Sequence, residues 1–360
     1  MSNLSVTVID SPAKLQGLAL SWNELLEASV SDSPFLRWEW LATWVECCLG
    51  KKRSLFVLSF EEKGRVAGIA PFFLEMSGGV LPRRTIRFLG TPEGGSDYLD
   101  VFCRRGRETE VADALYHYLV GEGRGRWDVL HLQDIPAESV FLLRFLNRVD
   151  EVGKYYEITP GAFCPVLDLA SDREGWPLAA TPGCKKKFHK ELAILEREGA
   201  VSHRVEEEAD AASLERFFAF YRQATGRTSE VLHRLLAGYL ERCEKGGGVS
   251  IDALAVGGRD IASLLHFRCH GSLFLYLVAV DKDFNPRISV GHLLLGHCIV
   301  SAREAGYRRC DFLKGDEGYK FFWATGGRRT LQLRLWRKSP LALSAGCWRM
   351  ARHAGKLLLR

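Results

Sequence analysis

The order in which apolar runs recur constrains this chain most, because it happens twice. In the first half, SLFVLSFEE and RVAGIAPFFLE are β-branched and aromatic runs joined at Lys63-Gly64, a hairpin signal. Strands follow at TIRFLG and DYLDVF, then a helix over 108–120, the strand WDVLHLQDI, and a helix over 137–148. In that last helix Phe141, Leu142, Phe145 and Leu146 recur at helical spacing. The second half repeats the order. VSIDALAV and DIASLLHFRC flank Gly257-Gly258, SLFLYLVAVD follows, then a helix over 289–305 and the strand YRRCDFL. A duplicated unit of antiparallel strands, helix and strand is the economical reading.

Between the halves the sequence predicts a helical connector: CKKKFHKELAILEREG, ASLERFFAFYRQA and EVLHRLLAGYLERCEK. In the first, Phe188, Leu192 and Leu195 share a face, and Lys185, Lys186, Lys187 and Lys190 crowd the other, a pattern that suits a solvated face better than a phosphate or RNA contact. The break falls between Leu169 and Cys184, giving an N-terminal domain at 1–170 and a C-terminal domain at 171–339. Residues 340–360 form a cationic amphipathic tail with Trp348, Met350 and three consecutive leucines among arginines. A terminal helix docked on a core is commoner for such a tail than one resting on anionic lipid.

At 360 residues the length suits two domains of the usual ~100–200 residues. With 47% hydrophobic and 26% charged residues the chain is globular in composition. Ten scattered cysteines, none in C-x-x-C, suggest neither a disulfide framework nor a zinc ribbon and fit a reducing, cytoplasmic setting. No signal core precedes the first domain and no apolar run spans a bilayer. A net charge of +5, with both signs interspersed, is weak support for nucleic-acid binding.

The chemistry concentrates between Ile261 and Trp323. A hairpin ending in VAVD leads through a polar loop with Pro286 and Arg287 into a helix whose first turn holds Ser289, Val290 and Gly291. Unsatisfied N–H groups at a helix N-terminus favour an anion, Gly291 lets a phosphate approach, and Arg287 adds charge. An ordinary Ser-capped helix is the alternative. The helix follows an antiparallel strand and no G-x-x-x-x-G-K-S/T is present, which argues against Rossmann and P-loop readings.

Hairpin, VAVD strand, loop, glycine-bearing helix start and following strand resemble the core of the GNAT (GCN5-related N-acetyltransferase) superfamily. The string SPFLRWEWLATWVE, DYLDVF and DFLKGDEGYKFFW is similar to CelD-like GNAT proteins associated with polysaccharide biosynthesis, over most of residues 30–337. These are related to Fem-type aminoacyl transferases. The resemblance implies an α/β (α+β) fold of two tandem GNAT-like domains, each a mixed, mainly antiparallel sheet flanked by helices. It also implies transfer of an acyl group from a thioester, normally acetyl-CoA or another acyl-CoA, to an amine or hydroxyl. The Q/R-x-x-G-x-G/A donor loop of the family is partly matched by Arg287 to Gly291, with His292 and Leu293 following where a small residue is usual. By analogy, backbone groups of Leu277, Val278, Ala279 and Val280 contact the donor.

Such a reaction needs a positioned nucleophile, proton removal, and protonation of the departing thiolate. In DFLKGDEGYK the expected catalytic groups are Asp316 or Glu317, to steer or deprotonate the acceptor, and Tyr319, to donate to the thiolate; Lys320 lies beside them. The competing roles are Asp316 as an N-cap, Glu317 in the first turn, and Tyr319 packed with Phe321 and Phe322. Asp97, Tyr98 and Asp100 are expected to line an acceptor cleft, or to be turn residues at a strand edge. His266 is either a cleft base or a hydrogen-bonded core histidine. His292 and His297, about 500° apart around a helix, do not make joint ligands, and neither His266 with His270 nor Cys269 with His270 completes a set, so no metal is expected. The leading function is acylation of an amine on a sugar or related metabolite. The alternatives are Fem-like transfer from aminoacyl-tRNA and a catalytically degenerate scaffold in polysaccharide assembly.

Overall fold

A computed structural model describes residues 4–31, 33–78, 82–153, 156–169, 182–243, 245–315 and 317–337. The 340–360 tail and Asp316 therefore lie outside the described residues. The chain forms two units: unit 1 holds the described residues up to Gly161 and those from Thr330 onward, and unit 2 holds Ala162–Arg329. The chain changes unit inside strands at 161/162 and 329/330, whereas the sequence reading puts its break at 170/171. Each unit is a mixed, mainly antiparallel sheet system flanked by helices, as expected.

Unit 1 runs β1 (Ser5–Ile9), α1 (Pro12–Gln16), α2 (Ala19–Glu27), α3 (Trp38–Cys48), β2 (Arg53–Leu55), β3 (Val57–Glu62), β4 (Arg65–Ala70) and β5 (Phe72–Met76). It continues with β6 (Arg84–Phe88), β7 (Phe102–Cys103), α4 (Glu108–Val120), β8 (Val129–Pro136), α5 (Val140–Glu151) and the start of β9 (Tyr156–Asp168). One sheet is ordered β1-β3-β4-β7; β2, β5, β6 and β8 form another ladder, in which only β6 and β8 run parallel. The β3–β4 hairpin turns at Lys63-Gly64, both at positive φ, as the sequence predicts. The aromatic content fills this core: Trp22, Trp40 and Trp44 are fully buried, and each indole N–H finds an acceptor, Leu36 O, Ser96 Oγ and Glu93 O respectively. DYLDVF does not form the expected strand. Tyr98 has φ of 55°, which breaks an extended ladder, and pairing resumes only at Phe102–Cys103.

Unit 2 contains α6 (Pro182–Leu195), β10 (Val201–Glu206), α7 (Ala211–Thr225), α8 (Glu230–Arg242), β11 (Val249–Val256), β12 (Arg259–Cys269) and β13 (Ser272–Val280). Then come α9 (Val290–Glu304), β14 (Arg309–Asp311), α10 (Gly318–Trp323) and β15 (Gly326–Trp336), which re-enters unit 1 at Thr330. The strand order is β10-β11-β12-β13-β14-β9, antiparallel except for β13 with β14. Its core lies between the sheet and α6 with α9, where Phe188, Leu195, Leu293, Leu294 and Ile299 are buried, each worth ~1.5–3 kcal/mol relative to exposure. Lys185, Lys186, Lys187 and Lys190 stand on the exposed side of α6. No helix of the described residues is long and apolar enough to cross a membrane. The nine described cysteines are free thiols.

Candidate active site

The site of interest begins at a defect in the sheet of unit 2. The β12–β13 register shifts at Leu265/His266, so that Leu275 pairs His266 while Leu277 pairs Leu265, leaving Tyr276 as the extra residue of a bulge. On its other edge β13 pairs β14 only over Ser272–Phe274. Among the described residues, no strand pairs with that edge from Leu275 to Val280, so its backbone groups there are not consumed by a ladder.

The loop from Asp281 then delivers the chain into α9. Ser289 occupies the N-cap in extended conformation but makes no side-chain capping bond. The first intrahelical bond at this end is Leu293 N–H to Ser289 O, which leaves the N–H groups of Val290, Gly291 and His292 without intrahelical acceptors. A Cβ on Gly291 would press on Val280 at 3.2 Å, so glycine is what lets the helix start this close to β13. Glu191 of α6, whose pKa burial raises, lies beside the Ser289 backbone at that electropositive end.

These elements enclose a cavity of about 760 Å³, walled by Val278 and Val280 of β13, Asp281 and Lys282 of the loop, and Ile288 to His292 with Leu295 of α9. Tyr221, Ala224 and Thr225 of α7, then Arg227, form the opposite wall, and Glu317 and Tyr319 complete it. The volume is in the range of small-molecule sites.

Of the residues expected at the donor site, Val278, Val280, Ser289, Val290, Gly291 and His292 line this cavity. Leu277, Ala279, Arg287 and Leu293 do not. Ala279 and Leu293 are fully buried behind it, and Arg287 is exposed with its N–H bonded to Asn285. The missed wall, Tyr221 to Arg227, sits at the end of what the sequence shows only as a connector helix; its signal is the polar run Thr225, Arg227 after an amphipathic stretch.

Tyr319 and Glu317 meet the cavity through α10. Burial, and secondarily the Glu317 charge, push the Tyr319 phenol up to about 12. Burial, the largest single influence on Glu317, opposes its ionisation, but the Lys320 hydrogen bond, the Glu317 backbone N–H and the Lys320 charge together outweigh it and hold the carboxyl below its ordinary value. Lys320 Nζ bonds Glu317 at 2.9 Å and Lys314 O at 2.8 Å, so it braces the loop and does not line the cavity. Gly315, at φ of 141°, makes room for both groups, since a Cβ there would collide with Glu317 and Lys320. Phe321 stacks on Phe163 and Phe322 packs on His292, while Tyr319 takes the cavity side of the same short helix. His292 is buried against Trp323, and burial followed by the nearby Lys187 charge depresses its pKa to about 4.

The other expected site residues lie elsewhere. His266 is 2% exposed beneath α9, bonded through Nε2 to Asp252, and does not face the cavity. Asp97, Tyr98 and Asp100 are all buried in unit 1, with Val101 N–H bonded to the Asp100 carboxyl.

Comparison with known proteins fits this geometry. Residues 183–321, which contain all of the cavity, match the family model described as acetyltransferase (GNAT) domain. The matched residues lie wholly within unit 2 and support a GNAT-type transferase. No curated protein sequence matches the chain. Among solved structures, L-PGS from Bacillus licheniformis is similar at 12% identity, with 94% of this chain and 96% of that one covered and a TM-score of 0.54. The C-terminal domain (DUF2156) of a putative lysylphosphatidylglycerol synthetase from Agrobacterium fabrum gives 13% identity, 93% and 95% coverage, and 0.55. FemX gives 10% identity, 91% and 96% coverage, and 0.55. At these identities the likeness is one of fold, and it runs through both units.

Proposed function

We propose that unit 2 binds acyl-CoA in the 760 Å³ cavity and transfers its acetyl or other acyl group to an amine, or a hydroxyl, of a sugar or related metabolite, in the polysaccharide-associated manner of the CelD-like proteins. The observation that carries this reading is the convergence of the unladdered β13 edge, the open first turn of α9 and the Tyr319 phenol on one cavity. The helix N-terminus suits the donor's phosphates, with Lys282 and Arg227 adding positive charge. The β13 edge suits hydrogen bonding to the thioester carbonyl as negative charge develops on its oxygen.

The acceptor amine attacks the thioester carbon, the C–S bond breaks, and the proton lost by nitrogen ends on the thiol. A phenol held near 12 is a weaker acid than a thiol of about 8.5. Tyr319 therefore supports the departing sulfur as a hydrogen-bond donor and keeps its own proton. Glu317, held ionised by Lys320, is too weak a base to strip an ammonium and serves to attract a cationic acceptor. Asp316, outside the described residues, remains part of the proposal as an alternative acceptor-steering acid.

Fem-like transfer from aminoacyl-tRNA is the second reading, favoured by the whole-length fold likeness to FemX and by the exposed lysines of α6. Isothermal calorimetry with acetyl-CoA, longer acyl-CoA and tRNA separates the two. Saturable CoA binding that disappears in Gly291→Trp supports the first reading; tight tRNA binding without CoA binding supports the second. Tyr319→Phe should lower kcat by roughly 10²-fold with little change in KM. Unchanged turnover would remove Tyr319 from the mechanism.

A further inference from the structure

One cluster of metal-ligating side chains in unit 2 is not used by the cavity. His203 on β10, Asp252 on β11 and His266 on β12 point to the same face of three neighbouring strands. The register shows why: Val205 is opposite Asp252 and Ser250 is opposite His266, so each pair is diagonal, two residues off, and shares a face. His203 Nε2 lies 2.6 Å from one Asp252 oxygen and His266 Nε2 lies 2.7 Å from the other. From the helix that covers this face, Cys298 of α9 brings its sulfur within 4.8 Å of Asp252 and of a ring nitrogen of His266. Asp252, His266 and Cys298 are at most 2% exposed.

We infer that His203, Asp252, His266 and Cys298 form a structural zinc site that ties the sheet of unit 2 to α9. Two imidazoles, a carboxylate and a thiolate are the donor types zinc takes in four-coordinate closed sites. The charge closes as well. A divalent ion with the carboxylate, a thiolate and neutral imidazoles sums to zero, which suits a site this deep in an apolar core. His297 stacks on His203 at 5.3 Å and walls the site on that side.

Ion entry releases the Cys298 thiol proton to solvent and shifts the proton of each ligating imidazole nitrogen to the other ring nitrogen. Ligands ~2.0 Å from a tetrahedral ion stand about 3.3 Å apart, so the carboxylate–imidazole pairs, now 2.6 and 2.7 Å apart, must open to admit the ion, and His203 must swing in from the other carboxylate oxygen. Access is from the sheet edge: β10 is the outermost strand of this sheet in unit 2, and the His203 side chain is 12% exposed.

The test uses the full chain without a polyhistidine tag, stripped with chelator, dialysed against Zn²⁺ and measured by plasma mass spectrometry. About one zinc per chain is expected, with a raised melting temperature. Co²⁺ in its place should give tetrahedral d–d bands and a sulfur-to-cobalt charge-transfer band that Cys298→Ser removes. His203→Gln, at the half-open edge, should fold and bind zinc at least roughly tenfold more weakly. A folded wild-type chain that retains no zinc overturns the inference and leaves a hydrogen-bonded core trio. So does a Co²⁺ complex of the wild type lacking the sulfur band, or zinc bound equally well by His203→Gln.

Discussion

Asp100 shows how much a single buried group can say about unit 1. It follows Tyr98, whose positive φ turns the chain inward, and its carboxyl accepts the Val101 N–H at 2.8 Å. Burial dominates its titration and pushes it up to about 7, although Ser139 and the Val101 N–H pull the other way. The folded form therefore holds a proton between pH 3.8 and about 7 that the unfolded chain has released. With fewer protons bound in the unfolded state, stability must fall as pH rises through that window and level off above it. Asp100→Asn removes the titration but keeps an acceptor for Val101. The stability of the variant relative to the wild type should grow on the order of 1 kcal/mol per pH unit up to about pH 7. Urea unfolding from pH 5 to 8 measures this, and a gap independent of pH would contradict it. The sequence marks Asp97, Tyr98 and Asp100 as polar residues near a strand end. Trp40 and Ser33 arrive from distant sequence to bond Ser96 and the Asp97 carbonyl beside them, and no local pattern encodes that.

At the scale of elements, legibility followed amphipathic contrast. Helix α4 and strands β11 to β13 carry strong period or strong β-branched content, and their bounds agree with the sequence reading to within a few residues. Strand β10, VSHRVE, did not stand out, because it is a short, half-exposed edge strand with only two apolar residues, Val201 and Val205. That omission hid His203. The other proposed zinc ligands are 14 or more residues apart on different elements, so local spacing rules could not assemble them. The candidate cavity was legible on one side only, since β13 and the α9 start are contiguous in sequence whereas α7 joins them by packing. Helix α7 is anchored at its far end by a full capping box: Asp210 accepts the Ser213 N–H at 2.8 Å and Ser213 Oγ accepts the Asp210 N–H at 2.8 Å. Asp210→Ala should cost about 1 kcal/mol of unit 2 stability, and Asp210→Asn should recover most of it. Equal losses in both variants, read from denaturant midpoints, would place the effect outside the cap.

At the scale of the whole molecule, chain order and unit membership diverge. After finishing unit 2 the chain returns to unit 1, where Thr330–Trp336 pairs antiparallel with Val129–Pro136 and buries Leu333 and Leu335. Two sequence halves with the same order of events led to a clean break after residue 170. A strand that belongs to one unit but is encoded after the other gives no compositional signal of its own, because its apolar alternation reads equally well as the last strand of unit 2. The arrangement makes a local prediction. Leu333→Ala opens a cavity in unit 1 and should cost about 2–5 kcal/mol there, although in sequence it follows every residue of unit 2. Hydrogen exchange read by peptide should then lose protection across Val129–Pro136 while Val249–Val256 keeps its own. If protection fell instead in Val249–Val256 and held in Val129–Pro136, Leu333 would be supporting unit 2, and the assignment of β15 from Thr330 onward to unit 1 would fail.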